Sequence, residues 1–393
     1  MSGPTDGQPS DHLSFSDQRI AVCHGHLLGR GGAEVRAEAL CRVLDAPLFA
    51  GFGSTEYVSD DVDVHLVFED SPLASALRGS KIVRDITEVL NWPGVAELRE
   101  FDVLVFSGEG ATWFPPAVDQ AVVRVQGGLD HAAYGRADEF TGLKSRVMGA
   151  FRRLTLPTTT PFADVWITPS SWTAAECRRY LGESPEVICP PPIEVEPFVD
   201  DVRPHHERDD YLLTMSRLVG QKHVDEVIEA CAATDHRLVV AGDGPDRERL
   251  EAMAGDDVEF VGWVDGEEKH DLLRSAEAFV FAGAHEAFGM VTAEAMAAGT
   301  PVLAVESGHT QRQIPRECGH LAPRGALVEA LERFDRNGVE ADAETIHHHA
   351  KQSFGTERFE RQVRKAVRLA VNRTNVDRET LVRQTGREST ART

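Results

Sequence analysis

Lysine is scarce in this chain: six in 393 residues, against thirty-five arginines and 64 acidic residues, for a net charge of −23. Displacing the counterions of a nucleic acid takes concentrated Lys and Arg, so this balance excludes nonspecific nucleic-acid binding. Cysteine is also sparse. Cys23, Cys41, Cys177, Cys189, Cys231 and Cys318 are scattered with no C-x-x-C pair, which speaks against both a zinc site and a disulfide framework. No apolar run approaches the ~18–20 residues that span a bilayer. The opening MSGPTDGQPSDHLSFSDQ is polar and lacks the apolar stretch of a secretion signal. The expectation is a soluble, cytoplasmic protein. A Walker motif, G-x-x-x-x-G-K-S/T, occurs nowhere, which removes the P-loop NTPases.

What is present is acid, and alternation. Abundant carboxylates with little lysine suit a protein working in molar salt, where like charges are screened from one another; the expected source is haloarchaeal. The length calls for two domains. Short β-rich apolar runs alternate with helical patterns twice over, the mark of parallel α/β architecture. The first series is RIAVCHG (19–25), VDVHLV (62–67), DVLVFSG (102–108), VVRVQ (122–126), DVWITPS (164–170) and EVICPP (186–191). Within it, SWTAAECRRYLG reads as a helix capped by Ser171 or Thr173, with Glu176 completing a T-x-x-E box. A Pro- and charge-rich stretch over 190–210 then breaks the pattern and reads as a linker. The second series is YLLTMSR (211–217), HRLVVAGDG (236–244), VEFVGWV (258–264), AFVFAG (278–283) and PVLAV (301–305). Continuous apolar strands of this kind are covered on both faces. The expected organisation is a disordered segment over 1–18, a doubly wound, Rossmann-like domain over 19–195 and a linker over 196–210. A second such domain over 211–355 faces the first across a cleft, and a helix over 356–375, returning to the first domain, precedes a disordered tail over 376–393.

Ligands of doubly wound sheets bind beyond the carboxyl ends of the strands, and the second half places its unusual residues there. Arg217 and Lys222, five apart around Gly220, have the charges to clamp a diphosphate, although two solvated cations flanking a turn would look the same. In AGDGP (241–245), Gly242 and Gly244 permit a tight turn and close ligand approach. The stretch HEAFGMVTAEAMAAGTPVLA (285–304) holds Glu286 and Glu294, eight apart, in otherwise apolar surroundings. Gly289, between Phe288 and Met290, stands where a helix begins, and free N–H groups at such a start attract anions. A carboxylate accepts two hydrogen bonds side by side, which matches a sugar diol. Glu286 and Glu294 therefore read as two diol readers around one diphosphate, or as a cap and a solvated helix face.

These blocks, in this order, resemble the retaining glycosyltransferases of family 4, which have the GT-B fold. The resemblance runs from about residue 20 to 370 through GRGGAEVRAEAL (29–40), ADVWITPSSWTAAECRRYLG (163–182), SRLVGQKHVDEVI (216–228), VVAGDGPDRERLE (239–251), VEFVGWV (258–264) and the stretch at 285–304. It implies that Arg217 and Lys222 hold the donor pyrophosphate, and that Glu286 contacts the transferred sugar with Phe288, Gly289 and Met290 beside it. Glu294 would bind the ribose, Gly242 would lie in the donor site, and Gly31 and Gly32 would form the loop of the first domain near the donor phosphates. Arg217, Lys222 and Glu286 are then the catalytic set. The implied reaction moves a hexose from a nucleoside-diphosphate sugar to a glycan, lipid-linked or polar-lipid acceptor, with no cofactor and no metal required. No Asp-x-Asp motif stands at a strand end, in keeping with that.

The sequence departs from the family in two places. Where members carry a histidine after the strand VVRVQ, this chain reads Gln126-Gly127-Gly128-Leu129-Asp130-His131, leaving His131 as the displaced candidate. After PVLAV, a single Gly308 stands where a Gly-Gly…Glu loop is usual. His347, His348 and His349 read as part of a surface helix, and His24 and His26 as residues of the cleft rim. GLKSRVMGAFRRLTL (142–156) is basic and amphipathic, suited to peripheral contact with the inner membrane face. The competing readings are a nucleotide-sugar epimerase or phosphorolytic enzyme on the same fold, and a non-catalytic nucleotide-sugar-binding subunit.

Overall fold

The computed structural model describes residues 17–68, 81–129 and 158–390, together with Ala150 and Leu154. Two wholly parallel sheets organise the described residues. The first contains β1 (Ile20–His24), β2 (Leu48–Ala50), β3 (Val64–Leu66), β4 (Val103–Ser107), β5 (Ala121–Val125), β6 (Val165–Thr168) and β7 (Val187–Ile188), in the order β3-β2-β1-β4-β5-β6-β7. The second contains β8 (Asp209–Met215), β9 (Leu238–Ala241), β10 (Val258–Gly262), β11 (Ala276–Phe281), β12 (Val302–Val305) and β13 (Gly319–Ala322), in the order β10-β9-β8-β11-β12-β13. Both are doubly wound, with strand order reversing between β1 and β4 and between β8 and β11.

The unbroken apolar strands have the physical cause expected of them. Side chains alternate across a strand, so a sheet covered on both faces needs apolar residues at every position. In β1, Ile20 and Val22 enter one core cluster while Ala21 and Cys23 enter the cluster on the opposite face. In β8, Leu213 and Met215 face one core and Leu212 the other. The sequence reading missed β2 and β13. Three residues of strand after Pro47, and the sequence GHLA, are too short or too mixed to stand out as apolar runs.

Three local corrections follow. The helix Ser171–Tyr180 is capped by Ser170, whose hydroxyl accepts the Thr173 N–H at 3.1 Å, and not by Ser171 or Thr173. His347 is buried, with Nδ1 on the Ala297 carbonyl at 2.6 Å, so only its neighbours His348 and His349 retain exposure on the helix Ala343–Phe354. The stretch read as a linker is anchored rather than loose. Ile193, Val195 and Phe198 pack into the core of the second sheet, and the Arg208 guanidinium donates to the carbonyls of Arg274, Ala276 and Ala298 and to the Thr300 hydroxyl. Burial pulls the Arg208 pKa down to about 10.

After Gly355, the helix Thr356–Thr390 crosses back to the first sheet. Phe359, Val363, Ala366, Val367 and Ala370, a stripe at helical spacing, join Ile20, Val22 and Val123 in one core. The helix runs on past residue 376, where the polar composition reads as a disordered tail. The basic stretch 142–156 lies outside the described residues apart from Ala150 and Leu154.

Candidate functional site

The strand reversal in the second sheet puts the exits of β8 and β11 side by side. From β8 the chain passes Ser216 and the exposed Arg217 into a tight turn, Gly220–Lys222. From β11 it enters the loop that leads to the helix Met290–Ala297. The Ala284 N–H donates to the Gln221 carbonyl at 2.9 Å, which joins the two exits. Beside this bond the Lys222 ammonium donates to the Glu286 carboxylate, the side chains being 26% and 18% exposed. The same ammonium stands 5.5 Å from the centre of the Phe281 ring. Two residues singled out in sequence blocks 64 positions apart are thus in contact.

Glu294, on the helix Met290–Ala297, is paired as well. Lys269 donates to it at 3.3 Å, with side chains 20% and 14% exposed. The sequence reading missed Lys269, although a signal was there. It lies in the first turns of the helix Gly266–Ser275, behind Glu267 and Glu268, at the end of the helix dipole that disfavours a cation. A rare lysine on the wrong end of a helix has been placed for something other than the helix.

The backbone between Glu286 and Gly289 is held carbonyl by carbonyl. The Glu286 carbonyl accepts from the His309 N–H at 2.8 Å. That of Gly289 accepts from the Thr292 hydroxyl at 2.7 Å and the Gln313 amide at 3.0 Å. Gly308, at φ +61°, lies flat against this backbone: a Cβ there would fall 2.3 Å from the Glu286 carbonyl oxygen and 2.4 Å from its nitrogen. Gly308 thus lets its own backbone pack directly against that of Glu286. Phe288 is buried, stacks on His309 at a ring distance of 5.8 Å and meets Phe354 edge-on at 5.2 Å, so it anchors the loop in the core.

The two domains meet at this loop. The Met290 sulfur lies 2.7 Å from where a Cβ on Gly32 would stand, and the Ala287 methyl 3.2 Å from one on Gly128. Gly31 caps the helix Gly32–Leu44 and donates its N–H to the Glu34 carboxylate at 3.1 Å. On the same rim, His24 is buried with Nδ1 on the Ser107 carbonyl and Nε2 turned to Glu34 at 3.7 Å. Burial works to raise the Glu34 carboxyl, but the His24 imidazole and the backbone N–H groups of Glu34 and Gly31 outweigh it, leaving Glu34 below the usual carboxylate range. His26 pairs with the buried Glu88 at 3.3 Å, and Gln126 donates to Glu109 at 3.5 Å. His131 lies outside the described residues. Gly242 is not on an open face: its N–H donates to the Gly262 carbonyl at 2.6 Å and its bare Cα abuts the Ser216 carbonyl.

His309 gives this loop a pH dependence. Burial, and then the neighbouring Arg312, push its pKa down from 6.5 to about 4. The unfolded chain therefore binds a proton between those values that the folded chain does not, and stability is lost as pH falls from about 6.5 to about 4. The shift corresponds to roughly 3 kcal/mol. His205 and His349 are lowered by burial too, so the test is a difference. Urea unfolding of His309→Gln should show a shallower loss of stability over this window than wild type, and an unchanged slope would clear His309.

Residues 196–348 match the family model for glycosyl transferases group 1. A GDP-mannose-dependent alpha-mannosyltransferase of Mycobacterium tuberculosis is 34% identical over 145 residues, 37% of this chain and 36% of its own. A GDP-mannose-dependent alpha-(1-6)-phosphatidylinositol dimannoside mannosyltransferase of the same species is 30% identical over 206 residues, 48% of this chain and 54% of its own. The matches thus span between a third and just over half the length of these relatives. Among solved structures, WaaG, a glycosyltransferase involved in lipopolysaccharide biosynthesis, superposes with a TM-score of 0.67 at 18% identity, over 89% of this chain and 99% of its own. Anabaena HepE in complex with UDP and glucose gives 0.65 at 15% identity, over 88% and 98%. The shared fold is GT-B, two Rossmann-like domains.

Proposed function

We propose that, on this GT-B frame, the chain is a retaining hexosyltransferase that takes its sugar from a nucleoside diphosphate and passes it to a hydroxyl of a glycan, lipid-linked or polar-lipid acceptor. The observation that carries the reading is the pair of Lys–Glu contacts, Lys222 with Glu286 and Lys269 with Glu294, on one strand rim beside the start of the helix Met290–Ala297. The donor class we favour is GDP-mannose, which the two mycobacterial relatives are named for.

In this reading Lys222 and Arg217, with the N–H groups at the helix start, meet the diphosphate, and no resident metal is needed. Glu294 accepts both hydroxyls of the ribose. Glu286 accepts from the sugar and faces the positive charge that develops at its anomeric carbon. The bond between that carbon and the phosphate oxygen breaks while the acceptor oxygen bonds to the carbon on the same face. The acceptor proton passes to the departing phosphate oxygen. Among the described residues no side chain stands out as a nucleophile, so a front-face course is preferred to a covalent intermediate.

Thermal unfolding in molar KCl tests the donor site. GDP at ~100 times its Kd should stabilise the wild type by about 2.7 kcal/mol. Glu294→Gln should weaken GDP by about tenfold or more, the worth of hydrogen bonds to a charged acceptor, and leave 2′,3′-dideoxy-GDP unchanged. If neither GDP nor UDP, ADP or dTDP stabilises the wild type at millimolar concentration, the reading fails.

A further inference from the structure

The carbonyl between Glu286 and Phe288 belongs to Ala287, and it is held from the other domain. Ser170 donates its hydroxyl to it at 2.6 Å and Thr173 at 3.3 Å, across 117 and 114 residues of sequence. Both donors are fully buried, at 0% exposure. Ser170 is well prepared for this. Its oxygen already accepts the Thr173 N–H as helix cap, at 3.1 Å, so its proton is available to donate. The first domain presses close at the same residue through Gly128, and Arg312 donates to Ser171 at 3.0 Å alongside. Within the second domain, His309 fixes the Glu286 carbonyl. Fixing two successive carbonyls from two domains fixes the torsions between them, and with them the direction of Glu286.

We infer that Ser170 and Thr173 are positioning residues that aim Glu286 from across the cleft, so that the sugar half of the donor is read only when the two domains are in contact. The inference rests on the donor reading above. In that reading the nucleotide half meets Lys222, Arg217 and Glu294, all within the second domain, and does not depend on this contact. When the domains part, the two hydroxyls lose their acceptor, and the Ala287 carbonyl is left to water in whatever orientation the loop then takes.

The test is isothermal titration of GDP and of GDP-mannose, in molar KCl, into the full-length wild type, Thr173→Val, Thr173→Ser and Ser170→Ala/Thr173→Val. The double variant should lose about tenfold in affinity for GDP-mannose, the worth of two neutral hydrogen bonds, while GDP stays within about twofold. Thr173→Ser, which keeps its donor, should behave as wild type. Equal loss for both ligands means a merely structural role and overturns the inference, as does no loss for either. Should the double variant fail to fold, Thr173→Val leaves the helix cap intact and carries the same comparison at about half the effect in free energy. A wild type that binds GDP but gains nothing from the mannose overturns the aiming of Glu286 alone. One that binds none of GDP, UDP, ADP and dTDP removes the donor site itself, and this inference with it; if another of these nucleotides binds in place of GDP, the same comparison is made with it and its sugar.

Discussion

Replacing Lys222 with methionine should slow sugar transfer by about 10²–10³-fold, the usual consequence of removing one preorganised charge from a site where negative charge builds up. Two losses combine in that number. In the proposed reaction the departing diphosphate loses a cation, and Glu286 loses the partner that now holds it in place. At 18% exposure the Glu286 carboxylate has little water to replace that partner. Its charge would then be costly to keep in place. Lys222→Arg should recover only part of the rate, because a planar guanidinium cannot stand where a compact ammonium does. Single-turnover consumption of GDP-mannose is the measurement, with wild type and both variants compared at saturating donor. A Lys222→Met rate within a few-fold of wild type would mean that Lys222 is only the structural partner of Glu286.

A large effect on stability is expected at Gly242. It sits at φ +119°, and a Cβ there would fall 1.9 Å from the Ser216 carbonyl oxygen. That oxygen is backbone at the exit of β8 and cannot move aside without carrying the Arg217 loop with it. Gly242→Ala should therefore cost about 3 kcal/mol or more, from an incompatible backbone conformation and the overlap together. For a unit of 150–250 residues this lowers Tm by roughly 2–4 °C per kcal/mol. Sequence reasoning offered another motive for this glycine, close approach of a ligand. The two are separable. A variant with normal Tm that fails to bind GDP would support ligand approach, whereas a fall in Tm with GDP binding retained at low temperature would assign the glycine to the fold.

Most of the frame was legible, for an identifiable reason. Strands buried on both faces carry apolar residues at every position, so DVLVFS and YLLTMS stand out unaided. The short strands β2 and β13, of three and four residues, carry no such signal. Site residues were legible in proportion to how far they break local rules. Glu286 and Glu294 are carboxylates in apolar surroundings, and both sit beside a lysine in the structure. Lys269 breaks the helix-dipole rule but is hidden among charged neighbours, EEKHD, where one more charge attracts no notice. Ser170 and Thr173 could not have been found as partners of Ala287, because a serine before a helix is fully explained by capping, and a contact across 117 residues leaves no local trace.

The return of the helix Thr356–Thr390 to the first sheet has a consequence for how the molecule is made. The strands of the first domain are complete at Ile188, but one wall of their core is supplied by Phe359, Val363, Ala366, Val367 and Ala370. At typical synthesis rates of ~5–20 residues per second, the wall follows the last of those strands by roughly 9–36 s. During that interval the helix Gly32–Leu44 covers only part of that face, through Ala37, Leu40, Cys41 and Leu44, and the second domain too waits for Ile346, Ala350 and Phe354 to complete its core. The half of the protein that is translated first therefore cannot complete its core until nearly the whole chain has been made.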